Sequence, residues 1–460
     1  MDYRGLGALD KKYVWHPFTQ MKEWTEGATL VIEEGLGCFI KDTRGRWYLD
    51  GVSSLWVNIF GHRKKEIDEA VKRQLDRIAH STLLGLANEP SVLLAEKLVR
   101  LLRESFKGEK RHQLTKVFYS DNGSTAVEVA LKMAFQYWIH KGITGRNTFV
   151  SLNRAYHGDT IGAVSAGGIE IFHGTFRHLL FKTFKAPSPY CYRCELGLHR
   201  TSCGMDCLHE MEKILTGHAT EIAAVVIEPK VQAAGGMITA PEGFLRGVRR
   251  LCDKYGVILI ADEVATGFGR TGEMFACCTE GVVPDIICLS KGLTGGYLPL
   301  AVTVATEEIY NAFLGEYGQL KTFFHGHSYT GNPLGCAAAL AVIDLFEKEG
   351  TLQQLKPKIE ILHEWLKRIL RYRHVGDTRG AGLMAAVEIV KNKETREPYP
   401  FEDKIGWRIV LDVRGKGVFL RPLGDCIVIM PPLAISPENL TAMLSRTEES
   451  IAGITEEERP

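Results

Sequence analysis

The middle of the chain, from about residue 115 to 305, alternates short apolar runs with longer segments of helical periodicity. Short apolar runs bounded by turn residues are typical of strands buried on both faces. Strands that alternate with helices indicate a mostly parallel sheet flanked by helices. The six candidate strands are KVFYS, TFVSL, AAVVIEP, VILIADE, DIICLS and LAVTVAT. The pattern therefore predicts an α/β fold.

The two ends of the chain have different patterns. Residues 28–51 are predicted to form short strands joined by glycine-containing turns, and residues 66–104 have the spacing of helices. A long helix is predicted at 334–348, and residues 352–460 mix helices with strand-like segments. We expect a large α/β domain in the middle and a smaller α+β domain built from both ends. The expected divisions are 1–75, 76–340 and 341–460.

Composition and charge exclude several classes of protein. The 460 residues are 45% hydrophobic and 24% charged, as in an ordinary globular protein, and the formal net charge is +1. This balance favours neither nucleic acid nor an anionic membrane as a partner. The N-terminal residues lack the apolar core of a signal peptide, and no stretch approaches the roughly 18 apolar residues that span a bilayer. We therefore expect a cytoplasmic protein.

The chain has eleven cysteines, and several lie in apolar segments, which is typical of reduced thiols in a cytosol. One group differs, because Cys191, Cys194, Cys203 and Cys207 are closely spaced. Four thiolates could hold a structural zinc ion, but the gap between the two pairs is shorter than in common zinc modules. Free thiols or a redox-labile disulfide are the alternatives, and the sequence does not decide between them.

Charged residues stand where apolar strands end, which needs a chemical reason. Lys291 follows the run IICLS, and Asp262 follows the run VILIA. In an open α/β sheet, ligands lie beyond the carboxyl ends of the strands. Asn122, Gly123 and Ser124 follow another strand and open a helix. A helix N-terminus offers free N–H groups to a phosphate.

Pyridoxal phosphate needs each of these features. A lysine forms a Schiff base with it, an acid keeps its pyridine nitrogen protonated, and a helix N-terminus holds its phosphate. Each feature alone has a plainer explanation. The lysine could be solvated, Asp262 could cap a helix or bind magnesium, and Gly123-Ser124 could be a simple helix cap. Their occurrence together in one chain favours the cofactor.

Longer motifs resemble a known family. IADEVATGFGRTG, about thirty residues before LSKGLTGGYLPLA, is similar to the class III pyridoxal-phosphate aminotransferases of fold type I. The motifs WHPFTQM, DGVSSLWVNIFGH, AYHGDTIGAVS and HGHSYTGNPLGCAAAL resemble those members that act on 8-amino-7-oxononanoate in biotin biosynthesis. The resemblance extends from about residue 13 to 435. It implies a seven-stranded, mostly parallel sheet in the large cofactor-binding domain, and a homodimer with a shared active site.

The resemblance also implies roles for residues of the cofactor site. Lys291 would be the Schiff-base lysine and would move the proton, while Asp262 would pair with the pyridine nitrogen. Tyr156 would stack on the ring, although by spacing alone it could be a core tyrosine. Asp159 would support the ring environment, and Ser328 would come from the partner subunit. The other implied cofactor contacts are Asn122, Gly123, Ser124, Val264 and His327.

The implied acceptor has an apolar chain and a terminal carboxylate, so its site needs apolar walls and one cation. Arg421 is the candidate cation, because a guanidinium binds a carboxylate bidentately. Without the resemblance it could equally form a surface ion pair. Trp56 and Phe18 would supply aromatic walls, although both could be ordinary core residues. Gly326 and Arg270 would complete the substrate site, with Arg270 near its entrance.

Departures from the family pattern leave the amino donor open. Some relatives have two tryptophans where this chain has Leu55 and Trp56, and a tyrosine where it has Phe18. The expected donor is S-adenosylmethionine, and L-lysine is the alternative. Other family members carry a glutamine in place of Ala265 that contacts the ring hydroxyl of the cofactor. In this chain that contact must come from elsewhere.

Three other functions remain as alternatives. One is a class III aminotransferase for ornithine or 4-aminobutyrate. Another is a nicotinamide-dependent oxidoreductase, although no G-x-G-x-x-G follows the first strand of the α/β region. The third is a non-catalytic scaffold whose cysteine cluster binds zinc and a partner. An aminotransferase with two half-reactions in one site would show ping-pong kinetics.

Overall fold

The structure is a computed structural model that describes residues 5–106 and 113–456. Its strands are β1 (Ile32–Leu36), β2 (Phe39–Asp42), β3 (Trp47–Asp50), β4 (Leu114–Ser120), β5 (Thr148–Leu152), β6 (Phe184–Ala186), β7 (Ile222–Ile227), β8 (Val231–Gln232), β9 (Ile238–Thr239), β10 (Ile258–Asp262), β11 (Ile286–Leu289), β12 (Ala301–Thr306), β13 (Val375–Ala381), β14 (Met384–Ile389), β15 (Val418–Phe419), β16 (Pro422–Leu423) and β17 (Cys426–Ile429).

The helices are α1 (Leu6–Tyr13), α2 (Met21–Glu26), α3 (Ser53–Trp56), α4 (Lys65–Leu75), α5 (Glu89–Ser105), α6 (Gly123–His140), α7 (Ile161–Ala166), α8 (Glu170–His173), α9 (Asp206–His218), α10 (Phe244–Tyr255), α11 (Glu307–Ala312), α12 (Pro333–Lys348), α13 (Thr351–Ile369), α14 (Ile405–Gly415) and α15 (Pro437–Thr455). Short 3₁₀ helices lie at Gly174–Leu179, Ala276–Glu280, Lys291–Thr294, Tyr317–Gln319 and Phe401–Asp403.

The central sheet has seven strands in the order β4–β12–β11–β10–β7–β5–β6. The pairs β11–β10, β10–β7, β7–β5 and β5–β6 are parallel, whereas β12 is antiparallel to both β11 and β4. The predicted α/β fold with a seven-stranded, mostly parallel sheet is thus confirmed. All six candidate strands are present, and β6 is the strand that they do not include. It has three residues, which is too short to stand out as an apolar run.

Side chains on opposite faces of the sheet join two separate hydrophobic clusters. Ile258 and Ile260 of β10 pack in one cluster with residues of α6, and Leu259 and Ala261 pack in the other. Successive residues of a strand point to opposite faces, so a strand that is apolar throughout needs cover on both. The continuous apolar runs of the sequence therefore correspond to a sheet covered on both sides.

The helical region predicted at 66–104 is interrupted. Helices α4 and α5 are separated by residues 76–88, a break that apolar spacing alone did not predict. The side chain of Asn88 accepts the N–H of Ser91 at 3.0 Å and caps α5, and Pro90 lies in its first turn. The long helix predicted at 334–348 is confirmed as α12.

The two ends of the chain meet in one small sheet. Its order is β1–β2–β3–β15, in which β3 pairs in parallel with β15 from the C-terminal part. A second four-stranded sheet has the order β13–β14–β17–β16. The divisions after residues 75 and 340 stay a prediction. Within the described part of the chain, no helix combines the length and the apolar character needed to cross a membrane.

Candidate active site

A cavity of about 890 Å³ opens beyond the carboxyl ends of the central strands. Four residues of its wall lie at strand ends. Asp262 ends β10, Glu228 directly follows β7, and Asn122 and Lys291 lie two residues after β4 and β11. These positions are far apart in sequence and converge because parallel strands end at the same edge of the sheet. The cavity is therefore the place where a ligand of this sheet is expected.

Lys291 follows β11 through Ser290, whose hydroxyl donates to the carbonyl oxygen of Leu300 at 2.8 Å. Lys291 has a φ of +46°, and its Nζ lies 5.0 Å from the centroid of the Trp56 ring. Burial lowers the pKa of Lys291, while the negative charges of Asp262 and Glu228 oppose that shift. The cavity thus holds an amine that is easier to deprotonate than an ordinary lysine.

Asp262 ends β10 and is only 4% exposed. Its Oδ1 accepts the N–H of Val264 at 3.0 Å, and its Oδ2 lies 2.7 Å from Nδ1 of His157. His157 is buried as well, and its Nε2 has no partner among the described residues. The pair fixes a carboxylate at the cavity wall. The sequence analysis missed His157, although it is adjacent to Tyr156 in the motif AYHGD.

Tyr156 lies on the cavity wall and donates its hydroxyl hydrogen to Oδ2 of Asp159 at 2.7 Å. Burial raises the pKa of this phenol, and the hydrogen bond to Asp159 adds to the shift. The ring stacks on His173 with centroids 6.1 Å apart and an angle of 13° between the planes. Tyr156 is therefore a fixed, neutral aromatic surface, and Val264 contributes an apolar side chain to the same cavity.

The N-terminus of α6 lies bare at the cavity. Asn122 caps the helix, since its side chain accepts the N–H of Thr125 at 3.1 Å. A Cβ on Gly123 would lie 2.5 Å from Cγ1 of Val264, so only glycine fits there. Ser124 accepts the N–H of Asp159 at 3.0 Å. The N–H groups of Gly123 and Ser124 remain available for an anion.

Glu228 is a second buried carboxylate at the cavity, and the sequence analysis also missed it. Its Oε1 accepts the N–H of Tyr156 at 3.0 Å, and its Oε2 accepts the N–H of Ala233 at 2.9 Å. Burial raises its pKa from 4.5 to about 7, and the positive charge of His157 opposes the shift. Glu228 therefore ties two segments of the cavity wall together. We call the five residues Lys291, Asp262, His157, Tyr156 and Glu228 the inner end.

The cavity is also lined by side chains that are partly open to solvent. Phe18 is 54% exposed, Leu55 50% and Trp407 42%. Arg421 is half-buried beside them, and burial lowers the pKa of its guanidinium. No hydrogen bond or ion pair joins this guanidinium to any described residue. We call Phe18, Leu55, Trp407 and Arg421 the outer end.

The sequence profile of the family "Aminotransferase class-III" matches residues 20–451. The chain belongs to the class III aminotransferases. The adenosylmethionine-8-amino-7-oxononanoate aminotransferase of Geobacter sulfurreducens is 55% identical over 455 residues, which cover 99% of both chains. The enzyme of that name from Methanocaldococcus jannaschii is 49% identical over 462 residues, which cover 98% of both.

Solved structures agree with this family. A crystal structure of the Methanocaldococcus jannaschii enzyme superposes on this aminotransferase with a TM-score of 0.92 at 48% identity, covering 98% of this chain and 99% of that one. An amine transaminase from an uncultivated Pseudomonas species, solved with pyridoxal phosphate bound, gives a TM-score of 0.90 at 37% identity, covering 96% and 99%. The cofactor of this aminotransferase is pyridoxal 5′-phosphate.

The residues at the inner end fit this cofactor. Asp262 offers a carboxylate, Tyr156 a flat surface, and the start of α6 a phosphate site. A Cβ on Gly158, which has a φ of +124°, would lie 1.9 Å from Oγ of Ser124, so the backbone at Gly158 approaches the start of α6 closely. We call the part of the cavity at the start of α6 the phosphate end. This same cavity is lined by seven residues that the sequence and the family resemblance assigned to a cofactor site: Lys291, Asp262, Tyr156, Val264, Asn122, Gly123 and Ser124.

Three predicted residues lie elsewhere in this aminotransferase. Gly326, His327 and Ser328 are not on the cavity wall of their own chain. Nδ1 of His327 instead lies 2.6 Å from Oδ2 of Asp121, next to the phosphate end. The family resemblance implies that Ser328 comes from the partner subunit, so its absence from this wall does not contradict that prediction. The contacts predicted for these three residues stay predictions.

Arg270 also differs from its expected place. It is 1% exposed and is not on the cavity wall, so it does not lie at the entrance. Its guanidinium donates to the carbonyl oxygens of Asn58 and Pro431, both at 2.8 Å. Two donors used on backbone carbonyls fix the segments that flank the cavity. Arg270 thus acts on the site through the backbone, and direct contact with a substrate remains only a prediction.

The other predicted wall residues, Trp56 and Phe18, line the cavity, as does Ala265. The cysteine cluster lies apart from it, and its thiols are free. Within residues 5–106 and 113–456, no group of three or more His, Cys, Asp or Glu side chains is arranged to hold a metal ion. The structure therefore does not support zinc at Cys191, Cys194, Cys203 and Cys207.

Proposed function

We propose that this aminotransferase transfers an amino group from S-adenosylmethionine to 8-amino-7-oxononanoate and so forms 7,8-diaminononanoate in biotin biosynthesis. Two relatives that are 49% and 55% identical along almost the whole chain carry these two substrates in their names. The observation that carries the proposal is the unpaired, half-buried guanidinium of Arg421 at the outer end. A buried cation without a partner costs free energy unless a ligand supplies the anion.

The outer end suits a keto acid with an apolar chain. Trp56, Leu55 and Phe18 give the cavity apolar walls. Arg421 can then bind the carboxylate at the far end of the chain with two parallel hydrogen bonds. An anchored carboxylate fixes the chain, and fixing the chain brings its carbonyl carbon to Lys291.

Pyridoxal phosphate, when bound, takes an amino group from one substrate and passes it to the next. Lys291 supplies the proton transfer, because a lowered pKa makes Nζ easier to deprotonate, and the deprotonated amine can accept a proton from a substrate carbon and return it. Asp262, held by His157 and the N–H of Val264, keeps its carboxylate in place during both half-reactions. Trp56 beside Lys291 restricts access of water to the reacting amine.

We also propose that the enzyme is a homodimer with a shared active site. Gly326–Ser328 is absent from its own cavity wall, although the family resemblance implies a role for it at a cofactor. Large apolar side chains around it are exposed: Tyr317 (99%), Phe324 (74%), Leu320 (69%) and Tyr329 (62%). An exposed apolar patch of this kind indicates a protein interface. The partner subunit's Ser328 would then reach the phosphate end.

The dimer is tested by complementation between two inactive variants. Lys291→Ala loses the reacting amine of its own chain, and Ser328→Ala loses a group that the other chain needs. Co-expressed chains should regain part of the activity, because some mixed dimers contain one intact site. Absence of any regain, with mixed dimers shown by differently tagged chains, would refute the shared site.

The donor and acceptor are tested directly with enzyme loaded with pyridoxal phosphate. S-adenosylmethionine and L-lysine are offered separately with 8-amino-7-oxononanoate, and the diamine is measured. We expect diamine with S-adenosylmethionine. If diamine forms with L-lysine and not with S-adenosylmethionine, the proposed donor is wrong and the proposed acceptor stands. The departures at Phe18 and Leu55 leave this outcome open. Diamine with neither donor, alongside turnover of ornithine or 4-aminobutyrate, would contradict the proposal.

A further inference from the structure

A second, smaller cleft, lined in part by the N-terminal segment, has three arginines in its wall. It has a volume of about 130 Å³. Its walls come from residues 28–31 after α2, from the turn between β2 and β3, and from the C-terminal part of α14. Arg44 and Arg46 belong to the turn, and Arg414 belongs to the helix.

These three guanidinium groups lack carboxylate partners. None of Arg44, Arg46 and Arg414 forms an ion pair with another described residue. Arg46 donates from Nη2 to the carbonyl oxygen of Gly415 at 3.2 Å. Arg414 is half-buried with its guanidinium 5.2 Å from the ring centroid of Phe419, and its Nε is buried without a partner among the described residues. Burial lowers the pKa of Arg414, and no carboxylate offsets this.

Asp42 is the carboxylate on the described wall of this cleft, and it is already engaged. Its Oδ1 accepts the N–H groups of Arg44 at 3.0 Å and Arg46 at 2.9 Å, and its Oδ2 accepts the hydroxyl of Tyr48 at 2.9 Å. Three guanidinium groups against one carboxylate leave a net charge of +2. The cleft thus offers hydrogen-bond donors and a net positive charge.

We propose that this cleft binds a small oxyanion of the type of inorganic phosphate. Planar guanidinium groups match the oxygens of such an anion and can donate to them in pairs. The volume of about 130 Å³ admits one such group and excludes a nucleotide. The site is separate from the phosphate end of the catalytic cavity, because none of the residues lining the two cavities is shared.

The position of the cleft connects it to the mouth of the catalytic cavity. Residues 28–31 follow α2, which is itself preceded by Phe18 of the outer end. Helix α14 carries Trp407 of the outer end and, two turns later, Arg414 of the cleft. Lys404, just before α14, also contacts Glu23 of α2. A bound anion would add a second tie between the N-terminal segment and α14.

The test is a calorimetric titration of the holoenzyme with inorganic phosphate, at an ionic strength kept constant with sodium chloride. The holoenzyme is used so that the cofactor occupies the catalytic phosphate site, and its absorption spectrum must stay unchanged. We expect saturable binding of one phosphate per chain. Arg414→Met, which keeps the length of the side chain and removes its charge, should weaken binding by about tenfold or more. Sulfate should bind similarly, and acetate more weakly.

A matched control lies on the same helix. Arg408 is exposed on α14 and outside the cleft, so Arg408→Met removes the same charge and should titrate as the wild type does. If Arg414→Met does not fold, Arg44→Met removes another guanidinium of the cleft from an exposed position and should weaken binding severalfold. Equal binding by the wild type and the variant in the cleft would overturn the proposal. Absence of saturable heat from phosphate at this constant ionic strength would overturn the proposal as well.

Discussion

The carboxylates of the inner end and the guanidinium of the outer end differ in whether they have partners. At the inner end, Asp262 is held by His157 and a backbone N–H, and Glu228 accepts two backbone N–H groups. At the outer end, Arg421 has no partner among the residues described. Buried polar groups are normally paired, so a paired group indicates a permanent arrangement and an unpaired one a place for a ligand. This contrast agrees with a resident cofactor at the inner end and with the substrate binding that we propose at the outer end.

Arg379 is an arginine with a buried side chain, and unlike the half-buried Arg421 it has several partners. Arg379 on β13 donates to Gly236, Asp377 and Glu388 at 2.7 to 2.8 Å, and its Nη2 lies 3.1 Å from Sγ of Cys426. Its bond to Gly236 connects the turn between β8 and β9 to strand β13. Its side chain is 8% exposed. One arginine therefore serves structure and the other is free to serve binding.

The largest effect is expected at the inner end. Lys291→Ala removes the amine that moves the proton, and turnover should fall by about a thousandfold or more, as for loss of a general base and nucleophile. Steady-state rates of diamine formation measure this. The variant should still bind the cofactor, since Asp262, Tyr156 and the start of α6 remain. Turnover within tenfold of the wild type would show that another group moves the proton.

Breaking the paired arginine should reduce stability. Arg379→Met leaves Asp377 without its ion-pair partner, while Glu388 keeps Arg193, and the free energy of unfolding should fall by about 3 kcal/mol. Denaturant unfolding of the purified protein measures the change. Arg421→Met is the matched control, and it should leave stability nearly unchanged because its guanidinium has no partner to strand. Equal losses for the two variants would remove the contrast between them.

The buried carboxylate Glu228 should give stability a pH dependence. Its pKa is about 7 in the folded protein against 4.5 ordinarily, so the folded state binds its proton more tightly than the unfolded state. The stability that this group contributes is present below pH 4.5 and is lost as pH rises towards 7, by about 3 kcal/mol in total. Denaturant unfolding of cofactor-free wild type and Glu228→Gln at several pH values measures this. A difference between the two proteins that does not change with pH would contradict the assignment.

The smallest effect is expected at the outer end. Arg421→Met removes one charge-assisted contact, and the KM for 8-amino-7-oxononanoate should rise by about 10- to 100-fold, with a much smaller change in kcat. Kinetics of the half-reaction with the keto acid measure this. The half-reaction with the amino donor provides the internal comparison. Equal weakening of both half-reactions would show that Arg421 supports the cavity and does not select the acceptor.

The parts that sequence predicts well are those with a local signal. The strands of the central sheet are continuous apolar runs, and Lys291 and Asp262 stand at their ends, so both strands and residues could be placed. The break between α4 and α5 was missed because periodicity continues on both sides of it. Trp407 was missed for a related reason, since an aromatic residue on a helix is more often core.

The contacts that sequence did not predict join distant parts of the chain. His157 meets Asp262 across 105 positions, and Glu228 meets Tyr156 across 72. Nothing in either neighbourhood indicates the partner, because the contact arises only when β5, β7 and β10 lie side by side. Arg270 shows the same limit, since its motif indicates proximity to the site and not that its donors are used on backbone carbonyls.

The most direct test of the account is to locate the cofactor on the chain. The holoenzyme is reduced with borohydride, which fixes pyridoxal phosphate to the lysine that binds it, and is then digested for peptide mass mapping. The account predicts that the added mass lies on Lys291 and that the yellow colour is bleached. Mass on another lysine, or on none, would contradict the assignment of the inner end and everything that depends on it.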